Sequence, residues 1–137
     1  MFTKKYCADG SFEHYKGCLV TQGFSQHPEF EYLEVFASTM HLPTLHIIFA
    51  LTAIHDLHLW SVNVSNAYLN GKMDCDVYME QPEDFEEEDH KEIVCLLKKA
   101  LYGTRQGKNR WNHKMHTTLE SLGFEQIYSD AAVYIFA

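Results

Sequence analysis

The distribution of charge along the chain constrains its fold more than any other feature. Residues 80–92 hold eight acids against one lysine, a local charge of −7. Such a run cannot enter a core without a large desolvation cost, so it predicts a solvated surface loop that divides the chain. The formal net charge is −8, which leaves only −1 for all other residues. From Ile93 to Leu119 there is no Asp or Glu, while Lys98, Lys99, Arg105, Lys108, Arg110 and Lys114 contribute +6. The chain reads as an acidic loop followed by a basic segment. That segment also holds Tyr102 and Trp111, a composition that suits phosphate contact and base stacking as well as it suits an ordinary exposed helix face.

With 137 residues, 46% of them hydrophobic, the chain has the length and apolar content of one domain with a packed core. Its apolar runs, such as Ile47 to Leu51, are far short of the ~20 residues that cross a bilayer. No apolar stretch follows Lys4 and Lys5, so no secretory signal is expected and the chain reads as soluble and intracellular, with cytoplasm and nucleus both open. Cys7, Cys18, Cys75 and Cys95 lack CxxC spacing, and reduced thiols are expected. His55-x-x-His58 and His113-x-x-His116 each supply half of a metal site at best, so scattered surface histidine is the expectation.

Periodicity predicts an α+β fold with a mixed or antiparallel sheet and two main helices. Leu19-Val20 is read as a short strand broken at Gly23. Pro43 suits the first turn of a helix whose Leu45, Ile48, Phe49, Thr52 and Ala53 recur at helical spacing, ending near His55-Asp56. Leu59 to Val64 alternates as a strand, and Asn70-Gly71 carries the signal of a type I′ hairpin turn leading back into Cys75–Met79. Ile93–Leu97 reads as a buried strand. A second helix is expected from about Lys108 to Leu122, with Trp111, Met115, Leu119 and Leu122 on one face and Gly123 as its stop. Val133–Phe136 opens a further strand.

Four ordered segments carry a resemblance: Val20-Thr21-Gln22-Gly23-Phe24-Ser25-Gln26, Asn66-Ala67-Tyr68-Leu69-Asn70-Gly71, Val77-Tyr78-Met79-Glu80-Gln81-Pro82 and Leu97-Lys98-Lys99-Ala100-Leu101-Tyr102-Gly103. Leu122-Gly123-Phe124 and Asp130 through Ile135 continue it, so that about Tyr15 to Phe136 is covered. The chain resembles the reverse transcriptase domain of copia-type LTR retrotransposons. The resemblance implies a right-hand polymerase whose palm holds metal-binding aspartates, with residues 1–58 fingers-like, 59–137 a partial palm, and the acidic loop at 80–92. In such enzymes two magnesium ions clamp the attacking and leaving oxygens.

The family pattern begins its first metal motif with aspartate, where this chain has Asn63. An amide keeps the shape but brings a neutral oxygen, and at ~1.4 kcal/mol per tenfold the lost charge slows chemistry by orders of magnitude. The paired aspartates of the family lie in a downstream Tyr-x-Asp-Asp motif, and the sequence ends at Ala137 without an Asp-Asp pair. No catalytic residue set is therefore intact. The expectation is a truncated domain that does not polymerise alone and holds no metal, whereas the complete family enzyme uses Mg2+. The alternatives are a non-enzymatic nucleic-acid-binding module and a fragment of a longer polyprotein.

By the same resemblance, Lys16, Asn66, Ala67, Tyr68, Gly103 and Gln106 are candidates for nucleotide contact. Tyr68 matches the aromatic that packs under the incoming sugar, although a core tyrosine is an equal reading. Lys98, Lys99, Arg105, Lys108, Arg110 and Trp111 are candidates for contact with a template–primer, with helix core the stronger reading of Trp111. Two departures bear on this: Cys18 stands where the family has an arginine, and Lys108 where it has a proline. A palm sheet without its central hairpin leaves ladder groups and an apolar face uncovered, and self-association is expected to cover them.

Overall fold

The structure is a computed structural model and describes residues 2–26, 35–88 and 92–136. It is α+β, with two main helices and antiparallel pairing throughout the described residues, in three separate two-stranded ribbons.

The first ribbon joins β1 (Phe2–Tyr6) to β2 (Phe12–Gly17), with Thr3 opposite Lys16 and a bulge between Lys5 and Tyr6. Its turn is set by Asp9-Gly10. Gly10 takes φ +84°, and the Asp9 carboxylate accepts from the Ser11 N–H (2.9 Å) and hydroxyl (2.7 Å). Asp-Gly between apolar flanks is a strong hairpin signal that the periodicity reading passed over. The strand expected at Leu19-Val20 is instead irregular and half exposed, because β2 has already ended at Gly17.

Helix α1 (Leu42–Ile54) carries Pro43 in its first turn and ends at His55, where Asp56 turns the chain with φ 51°. Its cap comes from far along the sequence: Asp130 Oδ2 accepts from the backbone N–H of His41 (2.9 Å). No residue of α1 is fully buried. Leu45, Ile48 and Thr52 are half-buried, whereas Phe49 and Ala53 are exposed. A helix that is apolar all round has no single face for a core to select.

Residues 59–64 are irregular rather than a strand, and Trp60 and Val62 stand 89% and 85% exposed. A strand exists through its ladder, and none of the described strands pairs with this segment. The hairpin turn expected at Asn70-Gly71 is also corrected. Ala67–Asn70 forms a 3-10 turn, the left-handed residue is Asn66 (φ 51°, ψ 42°), and Gly71 is extended at φ −82°. Gly71 is glycine for another reason, since a Cβ there would lie 2.8 Å from the Arg110 carbonyl carbon.

The second ribbon pairs β3 (Tyr78–Met79) with β4 (Cys95–Leu96), so the acidic run is the loop of a hairpin. Pairing continues loosely outward through Leu97 N–H to Val77 O (2.8 Å) and a Lys72–Lys99 bridge. The Ile93–Leu97 strand is thus present but shorter than expected, and Ile93, Val94 and Leu96 are exposed. Within the loop, Gln81 ties the two ends by donating to Ile93 O and accepting from the Glu87 N–H.

Helix α2 (Gly107–Ser121) lies within one residue of expectation at each end, and Gly123 (φ +89°) follows its last turn. Trp111, Met115 and Leu119 are half-buried on its inner side, but Leu122 is exposed. The third ribbon then pairs β5 (Phe124–Gln126) with β6 (Tyr134–Phe136), the Phe124 and Phe136 rings standing 5.3 Å apart. His116 of α2 binds Tyr134 Oη through Nδ1 at 3.0 Å and reaches Glu120 through Nε2 at 3.4 Å, so this histidine is a packing element rather than a scattered surface group. Among the described residues the fully buried apolar side chains are only Val77 and Ala100, next to buried Thr104, Gln106, Asn109 and Asp130. The tightest packing is therefore at the start of α2.

Candidate functional site

Three of the motif segments meet at the start of α2. The segment Thr21–Gln26 lies against the loop Tyr102–Gln106 and is clasped to it by both backbone and side chains. The Thr21 N–H and hydroxyl both donate to Tyr102 O, at 2.8 and 3.2 Å. Gln26 accepts from the Arg105 N–H (2.8 Å) and donates to Gln106 Oε1 (3.3 Å), while Arg105 Nε donates to Gly23 O (2.9 Å). Such close approach demands glycine on both sides. A Cβ at Gly23 would fall 1.9 Å from Gly103 O, and one at Gly103 (φ +93°) 2.0 Å from Thr21 O.

The third segment, Asn66–Gly71, packs on the same place. Tyr68 stacks on Tyr102 with ring centroids 4.6 Å apart, and its edge borders Gly107. Gln106 is wholly buried, and its amide also reaches Cys75 Sγ at 3.9 Å. Arg110 pairs with Asp74 at 3.2 Å and donates to Asn109 Oδ1, and Asn109 in turn holds Phe36 O at 2.6 Å.

The nucleotide candidates Ala67, Tyr68, Gly103 and Gln106 therefore come together, with exposed Asn66 at the edge of the group. Lys16 lies apart, exposed on β2. Of the template–primer candidates, Lys98, Lys99 and Lys108 are exposed around the clasp, Arg105 is tied to Gly23, Arg110 is engaged by Asp74, and Trp111 is half-buried. A 280 Å³ hollow beside them is lined by Met73–Asp76 and Leu96–Lys98. Burial, with the neighbouring Asp74 charge, pushes the Cys75 thiol up from its ordinary range, so it stays protonated near neutral pH.

The whole chain, residues 1–137, matches the family described as reverse transcriptase (RNA-dependent DNA polymerase). It is 35% identical over 135 residues to the "Retrovirus-related Pol polyprotein from transposon RE1" of Arabidopsis thaliana, and 34% identical over 134 residues to that from transposon TNT 1-94 of Nicotiana tabacum. The chain belongs to the reverse transcriptase family. It is a reverse transcriptase domain of the copia type of retrotransposon polyprotein. The matches cover 98% of this chain but only 9% and 10% of those relatives, so it spans about a tenth of their length. No solved structure matches it.

In this reverse transcriptase domain Asn63, which the resemblance sets against the family's first metal aspartate, is exposed in the irregular segment. Among the described residues, those to which the resemblance points do not fit a magnesium pair. Asn63 is neutral, and buried Asp130 has both oxygens occupied, Oδ2 by the His41 N–H and Oδ1 by the Ala132 N–H (3.1 Å). Among the described residues no group of three His, Cys, Asp or Glu could hold a metal ion. No described helix is long and apolar enough to cross a membrane.

Residue-type reasoning gave no role to Gln26, Gly23 or Asp130, although all three lie inside the motif segments that carry the resemblance. The Asp130 carboxyl is held below the ordinary carboxylate range, chiefly by the His41 N–H, against an opposing effect of burial and with help from the Ala132 N–H and the Thr44 side chain. A depressed folded value means stability that is present above the ordinary carboxylate value of about 3.9 and is lost as pH falls through the folded one. Thermal melts between about pH 6 and pH 2.5 should therefore show a wild-type midpoint that declines below about pH 4. Asp130→Asn should start lower and decline less over the same range. An Asn variant that falls as steeply as the wild type would remove this carboxylate from the account.

Proposed function

We propose that residues 1–58 serve as fingers and 59–137 as part of the palm of a copia-type reverse transcriptase, and that what this chain contributes is grip rather than chemistry. The observation that carries the reading is the clasp. It gathers Tyr68, Gly103 and Gln106 in one place and leaves Lys98, Lys99 and Lys108 exposed around it. A template–primer is the partner such an arrangement suits, with phosphates on the lysines and an incoming nucleotide against Ala67 and Tyr68. Gln106, buried and bonded to Gln26, acts in this reading by holding the loop in place. The protein works inside the cell, in cytoplasm or nucleus. In the complete family enzyme magnesium supplies the charge that chemistry needs, and with Asn63 the chain is not equipped to bind it.

Primer extension tests this. The 137-residue chain should extend no primer on an RNA template at any magnesium concentration. In a longer polypeptide that supplies the paired aspartates, Asn63→Asp should raise magnesium-dependent extension by about 100-fold or more, since each ~1.4 kcal/mol of restored transition-state stabilisation is a factor of ten. Equal extension with and without the Asn63→Asp exchange would show that this position is not a metal ligand.

A further inference from the structure

We propose that Asn70-Gly71 is a site of self-modification, at which Asn70 converts to aspartate and isoaspartate, and that the clasp holds the reaction back. The chain has five asparagines, and Asn70 alone precedes a glycine; Val64, Ala67, Arg110 and His113 follow the others. The missing Cβ leaves the Gly71 backbone nitrogen open to the Asn70 side chain. In the reaction that nitrogen gives up its proton to hydroxide and bonds to Asn70 Cγ. The bond from Cγ to Nδ2 breaks, ammonia leaves, and a five-membered succinimide remains. Water then opens the ring at either carbonyl, giving aspartate or isoaspartate with no change of oxidation state. Asn70 is exposed, so water and hydroxide reach it.

Three sets of contacts oppose ring closure in the folded chain. The Gly71 N–H donates to Tyr68 O at 2.9 Å, so the attacking nitrogen is committed. Asn70 Nδ2 donates to Asn66 O (3.3 Å) and Ala67 O (3.4 Å), which commits the leaving amide to the carbonyls of the turn. Gly71 itself is buried, its carbonyl accepts from the Ala100 N–H (2.9 Å), and the Arg110 backbone passes beside it, so its peptide has no room to swing toward Cγ. Because Tyr68 stacks on Tyr102, the ring closes only when Asn66–Gly71 lifts off the clasp. Conversion then hinders the return. A carboxylate only accepts, so both donations from residue 70 are lost and a negative charge faces the Asn66 and Ala67 carbonyls, beside Tyr68. Isoaspartate also lengthens the main chain by one methylene.

Peptide mass spectrometry on the 137-residue chain, aged at mildly alkaline pH, follows the exchange of the Asn70 amide for a carboxylate. In guanidinium the peptide carrying Asn70 should convert freely. In native buffer it should convert about tenfold more slowly or less, since the native rate is the unfolded rate multiplied by the open fraction. Tyr102→Leu removes the ring that Tyr68 stacks on but none of the backbone hydrogen bonds. It should raise the native rate by about threefold or more with helical circular dichroism unchanged. Asn70→Asp, the product itself, should lower the thermal midpoint and speed hydrogen exchange at the Gly71 N–H. No conversion in guanidinium overturns the proposal, as do equal native and unfolded rates. So does a Tyr102→Leu chain that keeps the wild-type rate, or an Asn70→Asp chain that melts and exchanges as the wild type does.

Discussion

Gly103→Ala should cost the chain about 3–4 kcal/mol of stability, a large share of what a domain of this size possesses. Two independent effects combine there. The residue sits at φ +93°, where any side chain is strained, and its Cβ would fall 2.0 Å from Thr21 O. That oxygen belongs to backbone, so no rotamer change relieves the clash. The only escape is to move the Thr21 segment away and break its two hydrogen bonds to Tyr102 O. Gly10→Ala is the internal control, because Gly10 has a similar φ (+84°) with nothing within 4 Å of the added atom. It should cost only about 1 kcal/mol, the strain alone. Denaturant titrations of the two variants separate steric contact from backbone strain. If they lose equal stability, the clasp does not hold the fold together.

Local signals carried the parts of the fold that depend on local physics. Pro43, Gly123 and the helical spacing around Trp111 place both helices almost to the residue, because caps and breakers act within a turn of where they stand. The parts that failed depend on partners remote in sequence. Leu59–Val64 alternates as a strand does, yet alternation records only which side chains could share a face, and the ladder needs a neighbour. Asn70-Gly71 misled for a related reason: Gly71 is small because the Arg110 backbone passes beside it. Around the clasp, the resemblance named segments that do meet in the fold, but residue type could not show that Gln26 bridges Arg105 and Gln106, or that Asp130 caps a helix 89 residues earlier.

The geometry also divides the basic segment into groups that are available and groups that are engaged, and binding should follow that division. Changing Lys98, Lys99 and Lys108 together to Glu should weaken binding of an RNA–DNA hybrid by about 100-fold or more at low salt. It should also flatten the log–log salt dependence by about 2–3 units, since each lost phosphate contact removes roughly 0.7–0.9. All three side chains are exposed, so the fold should survive the exchange. Arg110→Gln makes the opposite case. That guanidinium already pairs with Asp74 at 3.2 Å and donates to Asn109, so its loss should lower stability and leave the salt slope where it was. Arg105 falls between the two, because its Nε is committed to Gly23 O while the residue itself is exposed. Its replacement should disturb both readouts. Fluorescence anisotropy at several salt concentrations, with thermal melts on the same samples, distinguishes the three cases. A triple-lysine variant that keeps the wild-type slope would mean that phosphates are gripped elsewhere, and the clasp would then be a structural joint with no part in binding.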